Sequence, residues 1–295
     1  MMKKTNLIGS YQNGNYVVSL YSDGTKIREN DLDNLTPSFP ENIDLKITNY
    51  CDAGCLYCHE DSTKLGLHGD LNVEFIETLS PFTELAIGGG NPLDHPELLP
   101  FLYKLKERNI IANLTINQIH FEKKQLQIED IVSKGLAYGI GVSMIKPTEN
   151  FISLVRKYDN AIVHTINGVT SLEYYNKLSN KGIKILVLGY KHLRRGVKFY
   201  SPLVEKNMKD LSENIMNLSN VFPIVSFDNL ALDQLNMKSK LPSQYWNEFY
   251  MGDDGKYTMY VDLVTKEFSK SSTCMERYPI ADDIDTMFKK VLKIQ

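Results

Sequence analysis

The chain has 295 residues, 33 basic and 36 acidic, for a formal net charge of −3. That length supports one large α/β domain with an appendage, and the near balance of charge excludes the global basic field of a nucleic-acid binder. Four cysteines, three of them clustered between positions 51 and 58, argue against a disulfide framework and for a reducing interior.

The opening Met1-Met-Lys-Lys4 carries two lysines but no apolar h-region after them, and Tyr11-Gln-Asn-Gly-Asn15 breaks any signal-peptide pattern. No apolar run approaches the length of a membrane span, so a soluble, cytoplasmic protein is expected. The first elements read as a hairpin, Tyr16–Tyr21 and Thr25–Arg28, joined by Ser22-Asp-Gly24. From Ile43 the pattern alternates between short apolar strands and amphipathic helices. Strand 43–47 precedes a helix near 72–80, then strand 84–88. The next helix is expected to open at Asp94-His-Pro-Glu97, with a capping side chain, an early proline and a capping-box glutamate, and to run to about Arg108. Strand 111–117, helix 121–134 and strand 137–143 follow. A helix is then marked by Phe151, Leu154, Val155 and Tyr158 at i, i+3, i+4, i+7 spacing. Strand 161–166, helix 171–180, strand 183–189, a long helix with Met208, Leu211, Ile215 and Leu218 on one stripe, and strand 223–227 complete the rhythm. A second hairpin, Tyr257–Leu263 returning through Lys266–Ser269, precedes a last helix with Ile284, Met287, Phe288, Val291 and Leu292 facing a core.

Six or seven βα units with near-continuous apolar strands define an α/β fold built on a parallel sheet covered by helices. Periodicity alone leaves an open doubly wound sheet and a barrel as alternatives. In both, the active site lies at the carboxyl ends of the strands. Cys51, Gly89, Asn117, Ser143, Asn167 and Gly189 all fall at or just past such ends.

The densest chemistry is the C-x3-C-x2-C run Cys51-Asp-Ala-Gly-Cys55-Leu-Tyr-Cys58, directly after strand 43–47. Three closely spaced thiolates can hold three corners of a cubane iron–sulfur cluster and leave the fourth iron open. An open metal position is where chemistry happens. The alternative is a structural zinc site completed by His59 or the distant Cys274, although zinc knuckles more often pair two C-x2-C units.

This segment resembles the signature of the radical S-adenosylmethionine (SAM) superfamily, in which an aromatic residue, here Tyr57, usually precedes the last cysteine. One strand–helix unit later, Leu85-Ala-Ile-Gly-Gly-Gly-Asn-Pro92 looks like that family's glycine-rich turn for the amino group of SAM. Family members usually carry a glutamate before the proline. Asn91 stands there in this chain, and its amide oxygen can accept from an ammonium without a carboxylate's charge assistance. The resemblance spans roughly 43–227. It implies a partial (β/α)6 barrel over 42–227, with an N-terminal β extension at 1–41 and a C-terminal cap, hairpin plus helix, at 228–295.

The resemblance also implies a [4Fe-4S] cluster on Cys51, Cys55 and Cys58, with SAM chelated at the open iron and reductively cleaved to a 5′-deoxyadenosyl radical. That radical abstracts hydrogen from a substrate that the sequence does not identify, whether small metabolite, nucleotide or peptide. An oxygen-sensitive enzyme is expected, with a small electron donor such as a flavodoxin or ferredoxin. Gly88, Gly89 and Gly90 are expected to let the backbone approach the methionine moiety. Ser143, Asn117 with Thr115, Asn167 with Gly168, and Gly189 with Tyr190 are further candidates for SAM contact. Lys191, Arg194 and Arg195 could neutralise the SAM carboxylate or a substrate anion, or form a solvated basic loop. His164 reads as a packed core histidine. Cys274 is a candidate hydrogen-atom donor, as in radical epimerases of the family, set against an incidental thiol. From a different class, a non-catalytic iron–sulfur or zinc binding protein is the alternative that Asn91 suggests.

Overall fold

The computed structural model describes residues 5–32 and 34–294; the lysine-bearing start at 1–4 lies outside the described residues. Near the N-terminus, β1 (Leu7–Asn13), β2 (Tyr16–Tyr21) and β3 (Lys26–Glu29) form an antiparallel sheet in that order. The expected hairpin is thus three-stranded. Its first strand was hidden because Gly9-Ser10-Tyr11-Gln12 lacks apolar alternation.

The main sheet begins with β4 (Asn42–Thr48), β5 (Glu84–Gly89), α1 (Leu98–Glu107) and β6 (Ile111–Asn117). It continues through α2 (Gln118–Lys123), α3 (Gln125–Ser133), β7 (Gly139–Ser143), α4 (Glu149–Val155), β8 (Ala161–Ile166), α5 (Leu172–Leu178) and β9 (Ile185–Leu188). After β9 come α6 (Arg195–Phe199), α7 (Pro202–Leu218), β10 (Val225–Phe227) and three short helices, α8 (Asn229–Gln234), α9 (Met237–Lys240) and α10 (Ser243–Phe249). The chain ends in β11 (Thr258–Asp262), β12 (Glu267–Ser269), β13 (Tyr278–Pro279) and α11 (Ile284–Val291).

Local chemistry moves several expected boundaries. The helix near 72–80 is a five-residue 3-10 turn, Glu74–Thr78. The helix expected from Asp94 starts only at Leu98, because Pro92–Asp94 closes its own 3-10 turn and Glu97 gives no side-chain cap. The helix expected over 121–134 is two helices, broken where Lys124 leaves helical backbone angles (φ −113, ψ 33).

Strands β4 to β10 run parallel, and the sheet order is β10-β9-β8-β7-β6-β5-β4-β11-β12-β13. The C-terminal hairpin joins the main sheet beside β4. β11 pairs in parallel with β4, Tyr260 opposite Asp44 and Asp262 opposite Lys46, and only β12 and β13 are antiparallel. One face carries the core: Ile43, Leu45 and Ile47, Leu85 and Ile87, Leu114 and Ile116, Val142, Val163, Ile185 and Val187 are buried under the helices.

The sheet curls without closing. Asn229, just after β10, donates to Gly252 O (3.1 Å) and Asp254 (2.7 Å), just ahead of β11. Those strands are seven places apart in the sheet order, which at about 4.8 Å per strand would separate them by roughly 34 Å in a flat sheet. The result is an α/β partial barrel whose inner face is a solvent-reached lumen. Its wall carries Asp44, Lys46, Asn113, Thr115, Asn117, Ser143 and His164, alternating with the core residues. The N-terminal sheet covers the amino ends of the strands, where Lys26 meets Asn42 (2.6 Å) and Glu84 (2.7 Å) and Tyr138 donates to Tyr21 O (3.1 Å).

Candidate functional site

The carboxyl end of β4 runs into a loop that folds back on itself. Asn49 N donates to Leu67 O (2.8 Å), Thr63 N to Asn49 O (3.1 Å) and Cys51 N to Thr63 O (2.9 Å). These bonds hold Cys51, Cys55 and Cys58 on one half-buried arc, all with free thiols. Burial pushes the Cys51 and Cys55 thiols above the ordinary thiol range, and the neighbouring cysteines add to the effect. The three sulfurs therefore feel one another. Tyr57 packs edge-on against Phe199 of α6, ring centroids 5.4 Å apart, and burial beside Cys55 and Cys58 raises its phenol.

The glycine turn at the end of β5 lies directly against this loop. Gly90 N donates to Thr48 O and Asn91 N to Tyr50 O, each at 2.7 Å. Gly89 has φ +107, and a Cβ there would meet Thr48 O at 2.4 Å; one at Gly90 would meet Tyr50 O at 2.2 Å. These two glycines are thus required by the approach of the chain's own backbone, which brings the two sequence motifs side by side. Gly88 is under less constraint, with ordinary contact to Thr115 at 3.4 Å.

Asn91 is fully buried. Its Nδ2 donates to Asp94 (2.5 Å), Asp94 pairs with Lys124, and the Asn91 Oδ1 has no partner among the described residues. Asn117 caps α2 by accepting from Ile119 N (2.9 Å) and donates its Nδ2 to Cys55 Sγ (3.4 Å). From the same helix, His120 Nε2 contacts Asp52 Oδ1 at 2.6 Å.

The remaining strand-end candidates separate into two groups. Ser143 is half-buried on the lumen wall beside Asn117 and His164. Asn167, Gly189 and Tyr190 are tied to the α8 region instead. Gly189 N donates to Asp228 Oδ1 (2.9 Å), Tyr190 N to Gln234 Oε1 (2.9 Å), and Asn167 Nδ2 to Gln234 Oε1 (3.1 Å). The Asn167 Oδ1 is buried without a partner among the described residues.

The basic segment after β9 is a clamp across the mouth of the barrel. Arg195 donates to Cys55 O (2.8 Å) and Ser62 O (2.5 Å) and pairs with Asp61 (2.8 Å). Arg194 donates to His59 O (2.9 Å). Lys191 Nζ lies 3.3 Å from His59 Nε2 and 2.8 Å from Ser272 Oγ, tying the cysteine loop to the segment that carries Cys274. Beneath it, buried Lys46 bridges Glu60 (2.7 Å) and Asp262 (3.0 Å). Burial alone would push the Glu60 carboxyl up, but its contacts with His59 and Lys46 outweigh that and hold it well below the usual carboxylate range.

Sequence reading overlooked Asp44, Lys46, His120 and the clamping geometry of Arg195. The available signal was the charge at alternate positions of an otherwise apolar strand, Asp44 and Lys46 between Ile43, Leu45 and Ile47. Asp44 sits within β4, between Ala86 of β5 and Tyr260 of β11, with its side chain exposed. Desolvation by the surrounding walls, with Asp254 and Asp228 adding and Lys191 opposing, pushes it up to about 6.

No family model and no curated protein matches the sequence. Solved structures do match. Streptococcus suis SuiB bound to S-adenosylmethionine is 14% identical with a TM-score of 0.58, covering 87% of this chain and 65% of that one. SuiB bound to precursor peptide SuiA is 14% identical at 0.59, covering 87% and 66%, and a further SuiB structure is 16% identical at 0.53, covering 80% and 61%. The chain thus spans about two thirds of the length of those proteins or slightly less. At these identities the likeness establishes the fold. Among the described residues no helix is long and apolar enough to cross a membrane.

Proposed function

We propose that the chain is a radical SAM enzyme. The observation that carries this reading is the abutment of its two motifs. The cysteine loop and the glycine turn are joined by two backbone hydrogen bonds, and beside them Asn91 presents a buried acceptor without a partner. An ammonium group fits that acceptor, since a buried carbonyl oxygen without a donor is costly. The fold shared with an S-adenosylmethionine-bound protein supports the assignment.

A cluster is preferred to a single zinc ion because zinc knuckles more often pair two C-x2-C units than carry this C-x3-C-x2-C spacing. His59, the nearby zinc alternative, is engaged by Lys191 and Glu60.

In this reading Cys51, Cys55 and Cys58 hold a [4Fe-4S] cluster, and Asn91 with the turn at Gly88–Gly90 holds the amino end of SAM. Bound together, the two cofactors supply a 5′-deoxyadenosyl radical after one-electron reduction by a flavodoxin- or ferredoxin-like donor. Tyr57 and Arg195 fix the cysteine loop. Ser143, Asn167, Gly189 and Lys191 line the approach from the strand ends, and the lumen below receives the substrate. Residues 42–227 form the core of this machinery, with β11 extending its wall.

Anaerobic reconstitution with iron and sulfide, followed by reductant and SAM, should yield 5′-deoxyadenosine. Cys55→Ala should abolish it. A fully loaded cluster whose spectrum ignores SAM would sink the enzyme reading and favour a binding protein.

A peptide substrate is favoured by the precursor-peptide complex of a protein with this fold. Cys274 then stands as hydrogen-atom donor, since Lys191 ties its segment, through Ser272, to the cysteine loop. Cys274→Ala should leave SAM cleavage intact and block hydrogen return; normal epimerised product from that variant would remove the thiol from the mechanism.

A further inference from the structure

We propose that Asn117 sets the reduction potential of the cluster bound at Cys55, through an N–H···S hydrogen bond whose direction the cap of α2 fixes. The proposal rests on the cluster assignment above. Among the described residues, Asn117 is the one side chain that donates to any of the three sulfurs, at 3.4 Å from Cys55 Sγ. An asparagine amide can face either way, and its orientation is decided by its partners. Here the choice is settled by the helix: Oδ1 accepts from Ile119 N at 2.9 Å, so Nδ2 is committed to the sulfur. An amide flip would lose the cap and set a carbonyl oxygen against a thiolate.

The physical effect has a sign. Reduction adds one electron, from a chemical reductant such as dithionite, and makes and breaks no bond. The added charge spreads onto the ligating sulfurs, where an N–H dipole stabilises the reduced form more than the oxidised one. Hydrogen bonds to sulfur are among the levers that set such potentials. Asn117 therefore makes the cluster easier to reduce.

The test is the midpoint potential of reconstituted protein without SAM, followed by electron paramagnetic resonance during a redox titration. Asn117→Thr keeps a capping oxygen for Ile119 N and removes the amide donor. Its potential should fall until the reduced-to-oxidised ratio at a fixed potential is about tenfold lower, which is 59 mV for one electron. Asn117→Asp keeps both shape and cap and should fall further. His120→Gln disturbs the Asp52 anchor from the same helix without touching Cys55, and should leave the ratio within about threefold. An unchanged potential in Asn117→Thr with a full cluster overturns the proposal. So does an equal shift in His120→Gln, which would assign the effect to loop position. If Asn117→Thr takes up no cluster while the parent does, Asn117→Asp decides by the same criterion. Failure of the unaltered protein to bind any cluster would instead overturn the cluster assignment.

Discussion

His164 stands on the lumen side of β8 with 9% of its surface exposed, and its Nδ1 has no partner among the described residues. Burial alone pulls its imidazole down to about 4. Because the folded state takes up this proton later than the unfolded chain, acid favours unfolding. The stability is intact above the unfolded value near 6.5 and is lost as pH falls from there toward 4. At 1.36 kcal/mol per unit the loss approaches about 3 kcal/mol. Urea denaturation at pH 7 and pH 4.5 should show it, and His164→Gln should flatten that interval; an unchanged slope would assign the acid sensitivity elsewhere. The ring also explains a glycine. A Cβ at Gly141 would meet its Nε2 and Cε1 at 2.3 Å, so Gly141→Ala should destabilise by about 1–3 kcal/mol through overpacking. A double-mutant cycle with His164→Ala should recover most of that. The sequence reading of His164 as a packed histidine has its physical basis here, although the residue borders the lumen rather than the helix-covered core. Asn117 shows the opposite limit. Its place at a strand end was legible, but its partner, Cys55, lies 62 positions earlier in the chain, beyond any local pattern.

Among elements, the N-terminal sheet is held by a buried charge. Glu41, fully buried before β4, accepts from Tyr16 Oη (2.6 Å) and takes Arg28 through Nε (2.8 Å) and Nη2 (2.9 Å), with Lys26 at 3.3 Å. Burial works against its charge, but these partners prevail and keep its carboxyl below the ordinary range. Arg28→Ala would leave that charge short of its main partner, a defect that costs about 3–5 kcal/mol at buried pairs. The midpoint of denaturation should fall accordingly, and Arg28→Ala/Glu41→Gln should lose less than Arg28→Ala alone. Equal losses would mean that the sheet docks by packing and not by charge. The βα alternation from β5 to β10 was legible because these strands are apolar runs separated by helices. The role of β11 was not, since a parallel partner such as β4 leaves no turn signature and Tyr257–Leu263 followed by a tight return reads as an isolated hairpin.

At the scale of the whole molecule, the curled sheet leaves two free edges, and the cysteine loop is steadied by groups that arrive across the barrel mouth from beyond β9. Arg195 supplies the largest share, with a planar fork reaching Cys55 O, Ser62 O and the Asp61 carboxylate. Those acceptors come from a segment about 135 residues earlier in the chain. The basic run 191–195 was legible as cations near a strand end. That Arg194 and Arg195 grip backbone carbonyls of the cysteine loop depends on the curvature, which no local periodicity encodes. Lysine cannot reproduce that fork, so Arg195→Lys should behave nearly as Arg195→Ala. Hydrogen bonds from a charged donor are worth about 1.5–3 kcal/mol each, and the side chain is partly exposed, so the local loss should be about 2–4 kcal/mol. The sheet keeps its own ladders and core without this residue. Hydrogen exchange should therefore accelerate on 51–63 by about 30- to 1,000-fold while β4 to β9 keep their protection. If exchange instead rose equally across those strands, the cysteine loop and the barrel would be one cooperative unit, and the clamp would hold the fold itself rather than the site.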